Sequence, residues 1–438
     1  MPLRRILALL AFTALPLAAT AATFVVGPQR GYMRGSGTAD APWSTLETVL
    51  AAKKDWQPGD IILLRSGDHG RPLVRGEIAG GDVTIRADAG NAPRVASLAF
   101  KTAAHWIVAG LVVSPEGSPP PKRKTTGLVS IAADCHDLTM RDCALSTVAS
   151  IAGWTEADWK TRALDGITCA GARCILTGNT LRHVRFGIAL GRTAHDSVVA
   201  RNRITDFMSD GLRGLADDCV FEGNVVENCY AIDANHDDGF QSWSIDATGR
   251  VGRGVVKRVT LRGNTFISYT DPAQPFKAAM QGIGCFDGMF EDWVIENNLI
   301  VTDMWHGIAL YGATNCRIVN NTIAKNPIDA AARTPWIQIS PHKHGQPSTG
   351  NLVRNNLTPT LHVPPAAATV DHNVVGGDAA ALFADFAKFD FHPRASSPAA
   401  GAGSDERAPR RDLDGHARGS PVAVGALEPV AVTGVLKR

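Results

Sequence analysis

The chain has 438 residues, of which 45% are hydrophobic and 20% charged, and its formal net charge is +2. This composition excludes an intrinsically disordered chain, and the near balance of charges gives no global positive field for nucleic acid. A chain of this length predicts two or three globular domains, unless internal repeats let one elongated domain grow. The repeats therefore decide the architecture.

The first residues have the pattern of an export signal. Two arginines precede an apolar run from Ile6 to Leu17, and a small-residue site ends at Ala21. We expect residues 1–21 to be a signal peptide of the Sec type, which makes the mature protein secreted or periplasmic. The apolar run is too short to span a bilayer and no later stretch is long and apolar enough, so we predict no membrane span.

Short units recur along the middle of the chain, each with an apolar residue three positions before an asparagine and another two positions after it. Units without insertions are 22 or 23 residues apart, and the central asparagines are Asn179, Asn202, Asn224, Asn264, Asn298 and Asn321. Alternating aliphatic residues predict strands, and a unit this short buries its apolar face only by stacking on its neighbours. We therefore predict an all-β fold, a single-stranded right-handed parallel β-helix over 60–360, with the asparagine amides hydrogen-bonded from coil to coil.

Capping segments are expected at both ends of this solenoid. In the N-terminal cap, 22–59, Ser44 and Glu47 have the spacing of a capping box that opens a short helix running through Ala52. Such a helix would cover the exposed strand edge at that end. The Pro, Ala and Gly-rich residues 361–438 have lost the regular repeat, and we interpret them as an irregular C-terminal cap.

A second column of residues follows the asparagines and locates a groove. It consists of Gly166, Gly187, Gly211, Gly239, Gly282 and Gly307, with Trp336 at the equivalent position one coil later. Residues in excess of the regular coil are concentrated on both sides of this column, between about Asp210 and His344. Because binding residues are concentrated on loops held by a rigid scaffold, we predict that these loops are the walls of the site.

The floor of the predicted groove follows from strand alternation. Six aliphatic or aromatic residues after the glycines are predicted to point inward, namely Ile188, Leu212, Phe240, Ile283, Ile308 and Ile337. The outward set includes Arg213, Gln241, Trp243, Phe286, Tyr311 and Gln338. Exposed aromatic rings beside amide and guanidinium donors suit a sugar chain, so we predict that Gln241, Trp243, Phe286 and Gln338 bind substrate.

Three aspartates are predicted to converge at one edge of the groove. Asp237 and Asp238 precede Gly239, and Asp210 precedes Gly211 one coil earlier. Carboxylates this close repel one another unless a cation or hydrogen-bond donors neutralise them. Three roles stay open: oxygen ligands of a hard cation such as Ca²⁺, caps of backbone amides at the strand entrance, or direct use in catalysis.

Eight cysteines are dispersed along the chain from Cys135 to Cys316. Export permits disulfides, but a chain of this size does not need them, so disulfides and buried thiols both stay open. We expect a monomer.

Two stretches carry a family resemblance. The pair Asp210-Gly211, followed by Asp237-Asp238-Gly239 on the next coil, resembles the calcium site of family nine polysaccharide lyases, which are pectate lyases with a β-helix. That family has a further aspartate two residues after the glycine and a lysine base on the next coil, whereas this chain has Gln241 and Gly284 there. The His236-Asp237 pair is similar to the histidine-bearing motif of periplasmic alginate C5-epimerases, which share this fold.

The resemblance implies an enzyme that removes the C5 proton of a uronate in an acidic polysaccharide. The neighbouring carboxylate must be neutralised, and a base must lie within hydrogen-bond reach of the proton. We assign neutralisation to Arg213, with Gln241 as a second donor, and the base to His236. Tyr311 or Lys343 is the acid or an alternative base. We place three further histidines along the groove: His306, His342 and His344.

The function first expected is therefore a polysaccharide lyase that acts by β-elimination. Two other enzymes remain as alternatives: a uronate C5-epimerase, which shares the first step, and a β-helix glycoside hydrolase that uses the clustered aspartates as acid and base. A non-catalytic protein that binds a polysaccharide or assists its assembly is also compatible with the predicted fold.

Overall fold

Parallel strands make up most of the chain in the computed structural model, which describes residues 21–52, 55–119, 127–329 and 331–429. The predicted signal peptide, 1–21, lies outside the described residues except for its last residue. Most coils contribute one strand to each of three faces, and successive strands on each face pair in parallel. The predicted all-β parallel β-helix is confirmed.

The side face lies before the asparagine of each coil. Its strands are Thr23–Val26, Ile61–Leu64, Val83–Ala87, the second half of Leu98–Ala109, His136–Arg141, Ile175–Thr177, Val198–Ala200, Val220–Glu222, Thr260–Arg262, Val294–Glu296, Arg317–Val319, Asn351–Arg354 and Ala368–Asp371. The first strand lies within 22–59, so parallel pairing begins inside the range that we assign to the N-terminal cap.

The back face lies after the asparagine. Its strands are Gly67–Asp68, Pro93–Val95, Val112–Val113, Ala144–Ser146, Thr180–Val184, Arg203–Met208, Val225–Tyr230, Thr265–Ile267, Leu299–Thr302, Thr322–Lys325, Leu357–Thr358 and Val374–Val375. The last of these strands lies beyond residue 360, so the solenoid extends into the range that we assign to the C-terminal cap.

The glycine face carries the predicted groove. Its strands are Leu73–Glu77, the first half of Leu98–Ala109, Gly127–Ile131, Asp165–Cys169, Ile188–Leu190, Asp210–Gly214, Asp238–Trp243, Gln281–Asp287, His306–Tyr311, Trp336–Ser340 and Thr360–His362. The six side chains predicted to point inward are all buried, and they belong to a core that continues from coil to coil. Stacking therefore buries the apolar surface that a single coil would expose.

The asparagines form the predicted ladder. From Asn179 to Asn356, each Nδ2 donates to Oδ1 of the next asparagine over 2.9–3.0 Å. Each also donates to a backbone carbonyl, as Asn264 does to Phe221 at 2.9 Å. The ladder continues past the predicted asparagines to Asn373. Buried amides are thus paired along most of the solenoid, which removes the free-energy cost of burying them.

The remaining elements lie outside the three faces. They are the helices Leu46–Ala51, Glu156–Arg162 and Ala379–Leu382, the 3-10 turn Phe386–Lys388, a small parallel sheet of Val255–Lys257, Met289–Glu291 and Ala313–Thr314, and the hairpin Phe383–Asp385 with Asp390–Pro393. The first helix is the one predicted near the N-terminus, but its N-cap is Thr45, which accepts from Thr48 N, and not Ser44.

The C-terminal segment lies along the flank of the later coils. Leu382, Phe391 and Leu427 pack with Ile267, Leu299 and other residues of the back face. Asn297 Nδ2 donates to Arg411 O at 2.6 Å, and Asn320 Nδ2 donates to Ala423 O at 3.1 Å. The segment therefore covers a flank of the later coils, whereas the sequence predicts a cap at the end of the solenoid.

All eight cysteines are buried free thiols. Of the disulfides and buried thiols that the sequence leaves open, the structure therefore has buried thiols. Within the described residues, no helix is both long and apolar enough to cross a membrane.

Candidate active site

Strand register brings the predicted floor residues into one column. Ala189, Arg213, Gln241, Gly284, Ala309 and Gln338 occupy equivalent positions on successive strands of the glycine face. One position departs from simple alternation, because the register shifts after Ser242 and Trp243 pairs with Asp287 instead of Phe286. Because of this bulge, Phe286 has no partner residue on the strand Asp238–Trp243.

The three aspartates lie together and are buried. Asp210 and Asp238 are paired on neighbouring strands and are 1% and 0% exposed. Asp238 Oδ2 accepts from Gln241 Nε2 at 2.9 Å, and Asp210 Oδ2 accepts from Arg213 Nε at 3.0 Å. Asp237 Oδ1 accepts from Ser209 N at 3.2 Å, so one of the three has the capping contact expected of an aspartate at a strand entrance.

Burial raises the pKa of all three aspartates. Desolvation raises the pKa of Asp237 to about 7, with further repulsion from Asp210 and Asp233. Desolvation also raises the pKa of Asp210 to about 6 although Arg213 opposes the shift. The pKa of Asp238 is raised well above its usual range by complete burial and by its two acidic neighbours. Near neutral pH part of the cluster is therefore protonated, which reduces the negative charge under the groove.

Arg213 is held as a rigid guanidinium at the floor. Its Cζ lies 4.5 Å from the ring centroid of Phe186 and 4.8 Å from that of Trp243, on the coils before and after it. Nε and Nη2 both bond to Asp210, whereas Nη1 makes no hydrogen bond within the described residues. Two aromatic faces and one carboxylate thus fix the plane of the guanidinium and leave one edge for a ligand.

Gly284 has no room for a side chain. A Cβ atom there would overlap Asp238 Oδ1 and lie 2.9 Å from Cε2 of Phe286. Asp238 Oδ1 is itself buried, and within the described residues it has no hydrogen-bond partner. The lyase family that the sequence resembles has its lysine base at this position. Because a Cβ atom here would overlap Asp238 Oδ1, the local packing excludes a lysine.

Two histidines lie on or above the floor. The His306 imidazole is half-buried, and its Nδ1 lies 3.2 Å from Gln281 Oε1, which directs Nε2 away from Gln281. Desolvation lowers the pKa of His306, and a protonated His236 lowers it further. His236 is exposed on the loop that precedes Asp238 and interacts electrostatically with both Asp210 and His306. His236 therefore lies on the loop at the strand entrance, close enough to interact electrostatically with Asp210 and His306.

Tyr311 belongs to an aromatic group beside these histidines. The Phe286 ring centroid lies 5.1 Å from Tyr311 and 4.9 Å from His306. Tyr311 OH donates to Gln338 Oε1 at 3.3 Å, and burial raises the pKa of Tyr311, so the phenol keeps its proton near neutral pH. Tyr311, Phe286 and Gln338 therefore occupy neighbouring places, as the sequence predicts.

The other predicted residues lie on the loop 341–347 at the opposite end of the strands. Lys343 Nζ forms an ion pair with Asp287, so its charge has a partner. His342 is only 3% exposed, and its Nδ1 lies 2.9 Å from Gln346 Oε1. His342 is therefore a packed residue in this structure, whereas His344 is exposed and its ring lies 4.9 Å from that of His342.

The carboxylates meet only part of what a calcium site requires. Asp210 Oδ1 and Asp238 Oδ1 are buried and have no hydrogen-bond partner in the described part of the chain, which suits a cation. Arg213 already neutralises Asp210, and no group of three or more His, Cys, Asp or Glu side chains in that part is arranged to hold a metal ion. Calcium takes six to eight oxygens, so the residues as arranged do not fit it.

Sequence reasoning missed two contributors to the site, Phe186 and Gln281. Each directly precedes a glycine of the column, as Asp210 and Asp238 do. The residue before the column glycine was therefore the signal in the sequence. Comparing that position in every coil would have identified both residues.

No family model matches the chain, and no curated protein matches it in sequence. Among solved structures it is similar to pectate lyase Pel9A, at 17% identity, 94% of this chain and 97% of that chain covered, and a TM-score of 0.49. It is also similar to the A-module of the mannuronan C-5 epimerase AlgE6 from Azotobacter vinelandii, at 13% identity, 76% and 94% covered, and a TM-score of 0.48.

A third similar structure is a GH136 lacto-N-biosidase from Eubacterium ramulus, at 13% identity, with 81% of this chain and 67% of that chain covered and a TM-score of 0.46. At these identities the likeness concerns the fold alone, and the fold of this chain rests on its own strand pairing.

Proposed function

We propose that the chain is a polysaccharide lyase that cleaves an acidic, uronate-containing polysaccharide by β-elimination in the groove of the glycine face. The observation that carries the proposal is the guanidinium of Arg213, held between Phe186 and Trp243 with Nη1 directed to no protein group among those described. A fixed guanidinium edge is suited to a planar carboxylate, and Gln241 on the next strand supplies a neighbouring amide.

The proposed chemistry begins at C5 of the bound uronate. Arg213 Nη1 binds the C6 carboxylate and stabilises the negative charge that develops as the C5 proton leaves. His236 takes that proton, C4 and C5 become joined by a double bond, and the bond from C4 to the glycosidic oxygen breaks. The proton that His236 has taken passes to the departing oxygen, because Tyr311 lies three parallel pairings from Arg213, about 14 Å along the axis. Asp210 acts only through Arg213, as a positioning residue.

The exposure of the carboxyl groups favours this chemistry over hydrolysis. A glycoside hydrolase needs an acid and a base that both touch the sugar. Asp210 and Asp238 are almost completely buried, whereas the Arg213 side chain is 21% exposed. The accessible groups of the floor are thus suited to binding a carboxylate and to removing a neighbouring proton.

The experiment is to incubate the mature protein with a panel of acidic polysaccharides and to follow two signals together. We expect ultraviolet absorbance from unsaturated uronate and new reducing ends to rise in parallel. Reducing ends without absorbance would indicate hydrolysis. If neither signal rises but the proton NMR spectrum shows inverted C5 centres, the protein is an epimerase. If the polysaccharide binds and no product of any kind forms, the protein is non-catalytic.

Export remains part of the proposal, whereas calcium, which the residues as arranged do not fit, is left out of the mechanism and tested separately. Loss of activity after chelation, restored by Ca²⁺ alone, would support the metal, and undiminished activity would remove it. Export, which the pattern of 1–21 predicts, is tested by the N-terminal sequence of the mature protein, with cleavage after about Ala21 expected.

A further inference from the structure

A second stacked arginine lies near the same strand edge as the Asp210 and Asp238 pair. The rings of Trp305 and Trp336 are parallel within 3°, with their centroids 6.0 Å apart. Arg333 Cζ lies 4.7 Å from the Trp305 ring centroid, and Trp305 is 43% exposed. These three residues, which we name the distal platform, present an accessible guanidinium on an aromatic surface.

Arg333 repeats the main feature of Arg213. Both guanidinium groups are stacked on tryptophan, which restricts their orientation before any ligand binds. The polar contacts of the Arg333 side chain differ, because Nη1 lies 3.4 Å from the sulfur of Met304 and within the described residues the guanidinium has no carboxylate partner. A stacked arginine without a protein carboxylate is suited to a carboxylate from a ligand.

The distal platform is continuous with the floor of the groove. Trp336 pairs with His306 in the strand register, and their ring centroids are 5.4 Å apart. From the strand Asp210–Gly214, the strand Trp336–Ser340 is reached by four parallel pairings, which corresponds to about 19 Å along the helix axis. One extended sugar chain lying along the axis could therefore contact Arg213 and Arg333 together.

We propose that the distal platform is a second carboxylate-binding subsite, at which Arg333 binds a uronate several sugar units away from the unit held by Arg213. Trp305 supports the guanidinium and offers its exposed edge to the apolar face of a sugar ring. The inference rests on the proposed function for the nature of the ligand. It adds that affinity depends on chain length, because only an oligosaccharide long enough to span both arginines gains the second contact.

The test uses trimers and octamers of polygalacturonate and of alginate, titrated calorimetrically into the full mature protein. A His236→Ala background limits turnover during the titration. Arg333→Ala should weaken binding of the octamer about tenfold and leave the trimer unchanged, since one charge-assisted contact is lost. Arg333→Lys keeps the charge without the planar fork and should give an intermediate loss. Arg407→Ala, an exposed arginine on the C-terminal segment, is the matched control.

Equal losses for both lengths, or an unchanged octamer, would overturn the distal subsite. That result is separate from the fate of the proposed function. If the wild type prefers octamers through Arg333 but yields no unsaturated product, the subsite stands and the lyase proposal fails. If unsaturated product forms but Arg333→Ala binds octamers as well as the wild type does, the lyase stands and the subsite fails.

Discussion

Asp238 Oδ1 occupies the space that the first side-chain atom of residue 284 would need, so the acid on one coil dictates a glycine on the next. The two residues are 46 positions apart in the chain but lie on directly paired strands. Asp238 Oδ1 stays buried without a hydrogen-bond partner within the described residues, because Gly284 leaves it room. The buried Asp238 carboxyl and the absence of a lysine at position 284 thus have the same cause, because the carboxyl fills the space that a side chain at 284 would need.

We expect Gly284→Ala to destabilise the protein and to reduce activity. The new methyl group must displace the Asp238 carboxyl, and overpacking of a buried site costs about 1–3 kcal/mol. Thermal unfolding measures the stability, and the initial rate of unsaturated-uronate formation measures the activity. Gly191→Ala is the control, because its Cβ would lie no closer than 3.6 Å to any neighbour. Equal melting temperatures for the two variants would contradict the overlap.

Substitution of Arg213 should remove turnover without unfolding the chain. For Arg213→Ala we expect kcat/KM to fall about 10²–10³-fold, the usual loss when one group that stabilises developing charge is removed. Arg213→Lys should recover little, because an ammonium group cannot replace the planar fork held between two rings. Arg262→Ala, at an exposed ion pair with Glu222, is the control. A fully active Arg213→Ala protein would refute the assignment.

Asp237 should make stability fall as the pH rises. Its folded-state pKa of about 7 is above the ordinary value near 3.9, so the folded protein binds this proton more tightly than the unfolded chain does. The stabilisation is complete below about pH 3.9 and is lost as the pH rises through about 7. Asp237→Asn abolishes this loss while an amide oxygen still accepts from Ser209 N.

The measurement is the free energy of unfolding of the wild type and of Asp237→Asn at several pH values between 4 and 8. We expect the difference to move in favour of Asp237→Asn as the pH rises, and to level off above about pH 7. Exposed Asp40→Asn provides the comparison. A difference that does not vary with pH would show that Asp237 ionises normally in the folded protein.

Removal of one ladder asparagine should weaken the solenoid at its middle. Asn264 Nδ2 donates to Asn298 Oδ1, and its own Oδ1 accepts from Asn224. Asn264→Ala leaves buried partners unpaired, and each such group costs about 1–3 kcal/mol. Denaturant unfolding should show a clearly lower midpoint than exposed Asn235→Ala does. Similar midpoints would mean that the ladder contributes little to stability.

The repeating residues were sufficient to predict the architecture. Asn179 and its equivalents recur at the length of one coil, and stacking is the arrangement that buries a repeating apolar face and pairs a repeating amide. Strand alternation likewise placed Arg213 and Gln241 on adjacent strands, because their register follows from the same period. These features depend on local pattern and chain length alone, so the sequence determines them.

Only the tertiary structure decided what the side chains of the site do. Phe186, Arg213 and Trp243 come from three coils, and whether an arginine stacks on rings or projects into solvent depends on rotamers and loop paths that no period encodes. The same holds for the pairing of Lys343 with Asp287 and for the burial of His342. Repetition fixes where the backbone lies, whereas contacts between coils fix which charged groups remain available to a ligand.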